Sequence, residues 1–153
     1  MKEVIEKYKA KNKTISTMES CTGGGLVNAF TNVEGSSEVI KFSAITYSNE
    51  FKMKMGVDKS IIDTYTVYSI ETADSMAHAI VEFTNSDIGI GITGKLNRVD
   101  EQNPYGKDNV VFISIYEKEK DNYYRESVEV KEDSREKNKQ IIINIVKKIL
   151  LTI

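Results

Sequence analysis

Thr14-Ile15-Ser16-Thr17-Met18-Glu19-Ser20-Cys21-Thr22-Gly23-Gly24-Gly25-Leu26-Val27-Asn28-Ala29-Phe30 is the stretch whose reading decides the fold. Thr14 to Met18 is short and β-branched, which suits a strand. The three glycines break it, and Leu26, Val27, Ala29 and Phe30 suit the helix that follows. The segment Glu19–Gly25 then lies at a strand's carboxyl end, the usual ligand side of an α/β sheet. It also lies at a helix start, where free backbone N–H groups and the dipole attract anions. Small hydroxyl residues there suit phosphate contact or nucleophilic attack; a capped turn with flexible glycines is the alternative.

Working outward, residues 2–12 form an amphipathic helix pattern with Val4, Ile5 and Tyr8 on one face. Strands are expected near 14–19, 39–47, 87–93, 109–117 and 122–130. Within the third, Ile88, Ile90 and Ile92 alternate with Gly89 and Gly91, the pattern of a central strand whose glycine face is packed closely by a helix. Helices are expected after Gly25, over Ser48–Met55 with Gly56 as its stop, over Lys59–Tyr65, and over Ile70–Phe83 with Ser69 as N-cap. A last helix runs from Asp133 or Ser134 to about Leu151, and its isoleucines recur at helical spacing. The expected core residues there are Ile142, Ile145 and Ile149. Lys95–Asp108 reads as a polar, irregular loop long enough to suggest function. Early alternation of helix and strand with a late hairpin implies a three-layer α/β/α sandwich on a mixed, mostly parallel sheet of about five strands. With no repeat, low-complexity tract or internal boundary, a single domain is expected over 1–153.

Composition narrows the function. The 153 residues carry 21 Lys and Arg against 23 Asp and Glu, a net charge of −2, so nothing pulls the chain toward nucleic acid or anionic lipid. The single cysteine, Cys21, excludes an intrachain disulfide and a cysteine-built zinc site. The single histidine, His78, excludes a two-histidine metal set and leaves little room for a Ser-His-Asp triad; it reads as a surface or packing residue. No apolar run approaches the ~20 residues of a membrane helix. A charged N-terminus and a lone thiol fit the reducing cytoplasm.

Two motif matches carry no function. Gly89-x-Gly91-x-x-Gly94 fits a dinucleotide fingerprint, and Gly89–Lys95 fits most of a phosphate-binding loop. Both motifs need glycines between a strand and a helix, whereas here they lie within the strand, and Leu96 stands where the magnesium-binding hydroxyl belongs. Tyr47-Ser48-Asn49-Glu50-Phe51-Lys52 is different. It too follows a strand end, and Lys52 falls about one turn into the next helix; a solvated lysine is the alternative.

Ser20-Cys21-Thr22-Gly23-Gly24, Val33-Glu34-Gly35-Ser36-Ser37 and Tyr47-Ser48-Asn49-Glu50-x-Lys52 closely resemble the CinA C-terminal domain family. Val67-Tyr68-Ser69, Thr93-Gly94, Asn103-Pro104-Tyr105-Gly106 and Arg135 resemble later motifs of the same family, so the likeness runs from about Thr14 to Leu151. The resemblance implies a serine/lysine amidohydrolase that deamidates nicotinamide mononucleotide to nicotinic acid mononucleotide and ammonia. Ser20 matches the nucleophile, Lys52 its general base, and Tyr47 a tyrosine that supports the pair. Cys21, Thr22, Gly23, Gly24, Asn49, Thr93, Gly94 and Arg135 match residues that line the substrate site. No metal or organic cofactor is implied. The expected partner is a small nucleotide substrate rather than nucleic acid or membrane, and a homo-oligomer is compatible with the sequence. The chemistry stands on its own terms: free lysine, with a pKa of ~10.4, is a poor base at neutrality, but burial depresses it toward the ~7–8 that suits one.

The chain departs from the family after Thr93-Gly94. Where the family has Ile-Ala-Gly-Pro and a glycine-rich run, this chain has Lys95-Leu96-Asn97-Arg98-Val99-Asp100-Glu101-Gln102. These charged residues are expected to fill or reshape the pocket, with Lys95 and Arg98 either holding a phosphate or standing in solvent. The rival function is a non-catalytic nucleotide-binding or interaction module that keeps the fold.

Overall fold

The computed structural model describes residues 1–153. Its elements run α1 (Lys2–Ala10), β1 (Ile15–Glu19), α2 (Gly25–Thr31), β2 (Ile40–Ile45), α3 (Asn49–Lys54), α4 (Lys59–Tyr65), α5 (Ile70–Thr84), β3 (Ile88–Gly94), β4 (Val110–Glu117), β5 (Asn122–Glu129) and α6 (Arg135–Thr152). The five strands form one sheet in the order β2-β1-β3-β4-β5. β1 pairs in parallel with both β2 and β3, while β4 runs antiparallel to β3 and to β5. Four strands therefore point one way and β4 the other, as the late hairpin implied.

Helices cover both faces. On one, Val4, Ile5 and Tyr8 of α1, Leu26 and Phe30 of α2, and Ile142, Ile143, Val146 and Leu150 of α6 pack on Ile15, Ile88, Ile90, Ile92, Val111, Ile113 and Ile115 of the sheet. On the other, Met76, Ala79 and Ile80 of α5 pack on Met18 of β1 with Val57. The side-chain alternation of β3 explains both layers at once. Its isoleucines face the large cluster, and its glycines let α5 lie almost on the strand: a Cβ on Gly91 would sit 2.2 Å from the Ala73 carbonyl oxygen. No helix is long and apolar enough to cross a membrane.

The terminal helix is rotated from the expected setting. Ile142 is fully buried, but Ile145 and Ile149 are only partly so, and Val146 and Leu150 take the inward positions. The cause lies at the far end, where Lys7 Nζ (2.9 Å) and Tyr8 Oη (3.3 Å) of α1 donate to the Leu150 carbonyl and fix how α6 lies. Ile142→Ala should accordingly cost ~2–5 kcal/mol through the cavity it leaves, and more than Ile145→Ala. Chemical denaturation checks this, and a loss under about 1 kcal/mol for Ile142→Ala would contradict the packing described.

Candidate active site

The register of the parallel strands assembles the site. The Ser20 amide donates to the Ile92 carbonyl of β3 (3.0 Å), and the Thr46 amide donates to the Glu19 carbonyl of β1 (2.8 Å). Three carboxyl ends, those of β1, β2 and β3, thus lie side by side, where open α/β sheets bind ligands. Immediately after β2 the chain turns into α3, whose N-cap is Ser48, with its Oγ accepting from the Phe51 amide (3.3 Å). That turn carries Lys52 back over the end of β1.

Lys52 is 1% exposed. Its Nζ lies 3.1 Å from Ser20 Oγ and 2.8 Å from the Thr46 carbonyl oxygen, and it has no carboxylate partner. Burial without a counter-charge disfavours the ammonium, and the pKa falls from 10.5 to about 8. A hydroxyl beside a lysine that loses its proton near pH 8 is equipped for proton transfer. Beside them, burial pushes the Cys21 thiol up to about 12, despite the nearby charges of Lys52 and Arg135. Cys21 is therefore a thiol at neutral pH and a poor nucleophile.

The turn after Ser20 is held from within. Gly23 and Gly24 take φ of +60° and +88°, the left-handed region that glycine enters without penalty. The buried Glu19 carboxylate accepts from the amides of Gly24 (3.1 Å), Leu26 (3.1 Å) and Val27 (2.9 Å). The start of α2 thus carries an internal anion. The amides of Cys21 and Thr22 donate to no backbone carbonyl.

A cavity of about 700 Å³ opens over Ser20 and Lys52, a size suited to a small-molecule ligand. Cys21, Tyr47, Asn49, Gly94 and Arg135 line it, as expected from the sequence. Four other expected contacts do not. Thr93 is fully buried and its Oγ1 donates to the Val67 carbonyl (2.8 Å), so it shapes a wall from behind. Thr22 is fully buried, and Gly23 and Gly24 turn the chain rather than face the cavity. Tyr47 reaches the rim, but it is 67% exposed and its hydroxyl bonds neither Ser20 nor Lys52.

The rewritten loop forms the opposite wall without filling the space. Asp100 accepts from the Tyr68 hydroxyl and from Asn103 Nδ2 (3.1 Å), and Asn103 Oδ1 accepts from Asn49 Nδ2 (3.1 Å). This chain of polar contacts ties the loop to α3. Lys95 departs from both sequence expectations. Its side chain is 2% exposed, bonded to Asp108 (2.8 Å), with its ammonium 5.1 Å from the centre of the Tyr68 ring. His78 is exposed and stacks near Tyr116, remote from the site's lining. Glu19, Tyr68, Asp100 and Asn103 belong to the site too; the sequence motifs contain them but assign none of them an individual role. Only Glu19 left a signal, an acid just ahead of a glycine-led helix start.

The fold and this geometry define an α/β sandwich with a serine–lysine pair at the carboxyl end of its sheet. The chain belongs to the CinA C-terminal domain family, whose model matches residues 1–152. A Thermoanaerobacter sp. (strain X514) protein named as competence-damage inducible is 43% identical over 96 residues, which is 61% of this chain and 23% of that protein. The CinA-like protein of Endomicrobium trichonymphae is 37% identical over 111 residues, 71% of this chain and 25% of that one. The matched stretches thus span about a quarter of these relatives' length. Among solved structures, the competence/damage inducible protein CihA of Agrobacterium tumefaciens superposes with a TM-score of 0.87 at 24% identity, covering 98% of this chain and 90% of that one. A CinA superfamily protein of Klebsiella pneumoniae gives 0.88 at 19%, covering 97% and 91%. At these identities the likeness is one of fold.

Proposed function

We propose that the chain is a serine/lysine amidohydrolase that deamidates nicotinamide mononucleotide to nicotinic acid mononucleotide. The observation that carries the reading is the buried Lys52 Nζ, 3.1 Å from Ser20 Oγ and free of any carboxylate. With Lys52 neutral, the Ser20 hydroxyl donates to Nζ while a remaining N–H stays on the Thr46 carbonyl. Ser20 Oγ attacks the carboxamide carbon and its proton passes to Lys52. The oxyanion lies toward the amides of Cys21 and Thr22. Collapse breaks the C–N bond, and Lys52 returns the proton to the departing ammonia. Water then adds to the acyl-enzyme, Lys52 takes its proton, and the acid leaves as Ser20 is restored. The Ser20–Lys52 contact favours this reading over a non-catalytic nucleotide-binding or interaction module, which has no use for a buried, uncompensated lysine beside a hydroxyl. The reducing cytoplasm is its proposed compartment, supported by the free, buried thiol of Cys21.

Ammonia release from a panel of pyridine amides tests the reading. Nicotinamide mononucleotide should be turned over, and Cys21→Ala should keep at least about a third of the wild-type rate, because the thiol stays protonated. An inactive Cys21→Ala beside an active Ser20→Ala would reverse the nucleophile assignment. No turnover of any amide in the panel would overturn the function.

A further inference from the structure

We propose that Arg98, contributed by the rewritten loop, joins Arg135 as a two-guanidinium clamp for a phosphomonoester on the ligand, an inference that rests on the amidohydrolase reading for the ligand's amide end. Both arginines line the cavity above Ser20 and Lys52, and neither is paired with a carboxylate. Lys95, the loop's other cation in the lining, is already committed to Asp108.

Arg98 is held in place rather than left loose. Its two terminal nitrogens donate to the Asn97 carbonyl (2.6 Å) and the Asp133 carbonyl (2.8 Å), and its amide donates to the Asp108 carbonyl (3.0 Å). Asn97 Nδ2 reaches the adjacent Glu132 carbonyl (3.2 Å). That segment is itself pinned, since the fully buried Asn138 both accepts from the Glu132 amide (3.1 Å) and donates to its carbonyl (2.8 Å). These bonds bring Arg98 against the residues that lead into α6, and Arg135 is the first residue of that helix. A guanidinium has five N–H donors, so Arg98 keeps donors to spare after its two carbonyl contacts. Both guanidiniums open onto one cavity, and the fork geometry of arginine matches phosphate oxygens. The cavity's acids, Asp100 and Glu101, belong to the same loop, and Asp100 is turned to Tyr68 and Asn103.

The test is calorimetric binding to the full chain carrying Ser20→Ala, so that the ligand is not consumed. The probes are nicotinamide mononucleotide, the riboside that lacks its phosphate, and inorganic phosphate. Adding Arg98→Ala should weaken the mononucleotide at least about tenfold, the worth of a lost hydrogen bond to a charged group. Binding of the riboside should stay unchanged, and Arg98→Lys should recover only part of the loss. Equal weakening of mononucleotide and riboside would mean that Arg98 only props the loop, and would overturn the clamp. So would unchanged mononucleotide binding, or the absence of binding by both mononucleotide and inorganic phosphate. If the wild type releases no ammonia while the phosphate-dependent loss persists, the clamp stands and the deamidase reading falls.

Discussion

Ser20→Ala and Lys52→Ala should each lower amide hydrolysis by about 10³- to 10⁶-fold, and the double variant should be little worse than either, because the two side chains act on one proton. Lys52→Arg should fail as well: it keeps the charge and much of the length but does not deprotonate in the working range. The wild-type pH profile gives the sharper check. Burial lowers the Lys52 pKa to about 8, so the ammonium dominates below that value and the free amine above it. A general base works as the free amine, so kcat/KM should rise with pH through about 8 and then level off. A profile that falls through this range, or a Lys52→Arg enzyme with near-wild-type rates, would show that Lys52 is not the base.

The second large effect concerns stability. Gly91→Ala should destabilise the fold by about 3 kcal/mol or more, although it adds only one methyl group. The added carbon would lie 2.2 Å from the Ala73 carbonyl oxygen and 2.7 Å from the Ala77 nitrogen, both backbone atoms of α5. No side-chain rotation relieves such a clash, so either the helix or the central strand has to move. Urea denaturation reads the loss directly. Because α5 also braces β1 through Met18 on this face, the displacement should loosen the strand that ends at Ser20. A shift below about 1 kcal/mol would mean that α5 has room to retreat.

The architecture was largely legible because its signals are local. Alternating Ile and Gly in β3 predicted both its central place and its close helix, and the order of all eleven elements follows the sequence pattern. The setting of α6 was less legible. Ile141, Ile142, Ile145, Val146, Ile149 and Leu150 make a stripe broad enough to be centred in more than one way, and contacts with α1, more than 140 residues away in sequence, choose among them. The site divides similarly. Ser20 and Lys52 came from motifs at two strand ends. The Tyr68–Asp100–Asn103–Asn49 chain did not, since each link is ordinary by itself and only the folded loop brings Asn103 to Asn49. Thr93, Thr22, Gly23 and Gly24, which resemble the family's motif residues, build the walls and turns around the cavity.

Glu19 gives the site a direction. By filling the start of α2 with its own carboxylate, the protein withholds the amides of Gly24, Leu26 and Val27 from any incoming phosphate. For the proposed substrate this favours entry amide first toward Ser20, with the phosphate directed away from that helix start. Glu19→Gln, which keeps the shape and removes the charge, would weaken this sorting, and reversed, unproductive binding would appear as substrate inhibition.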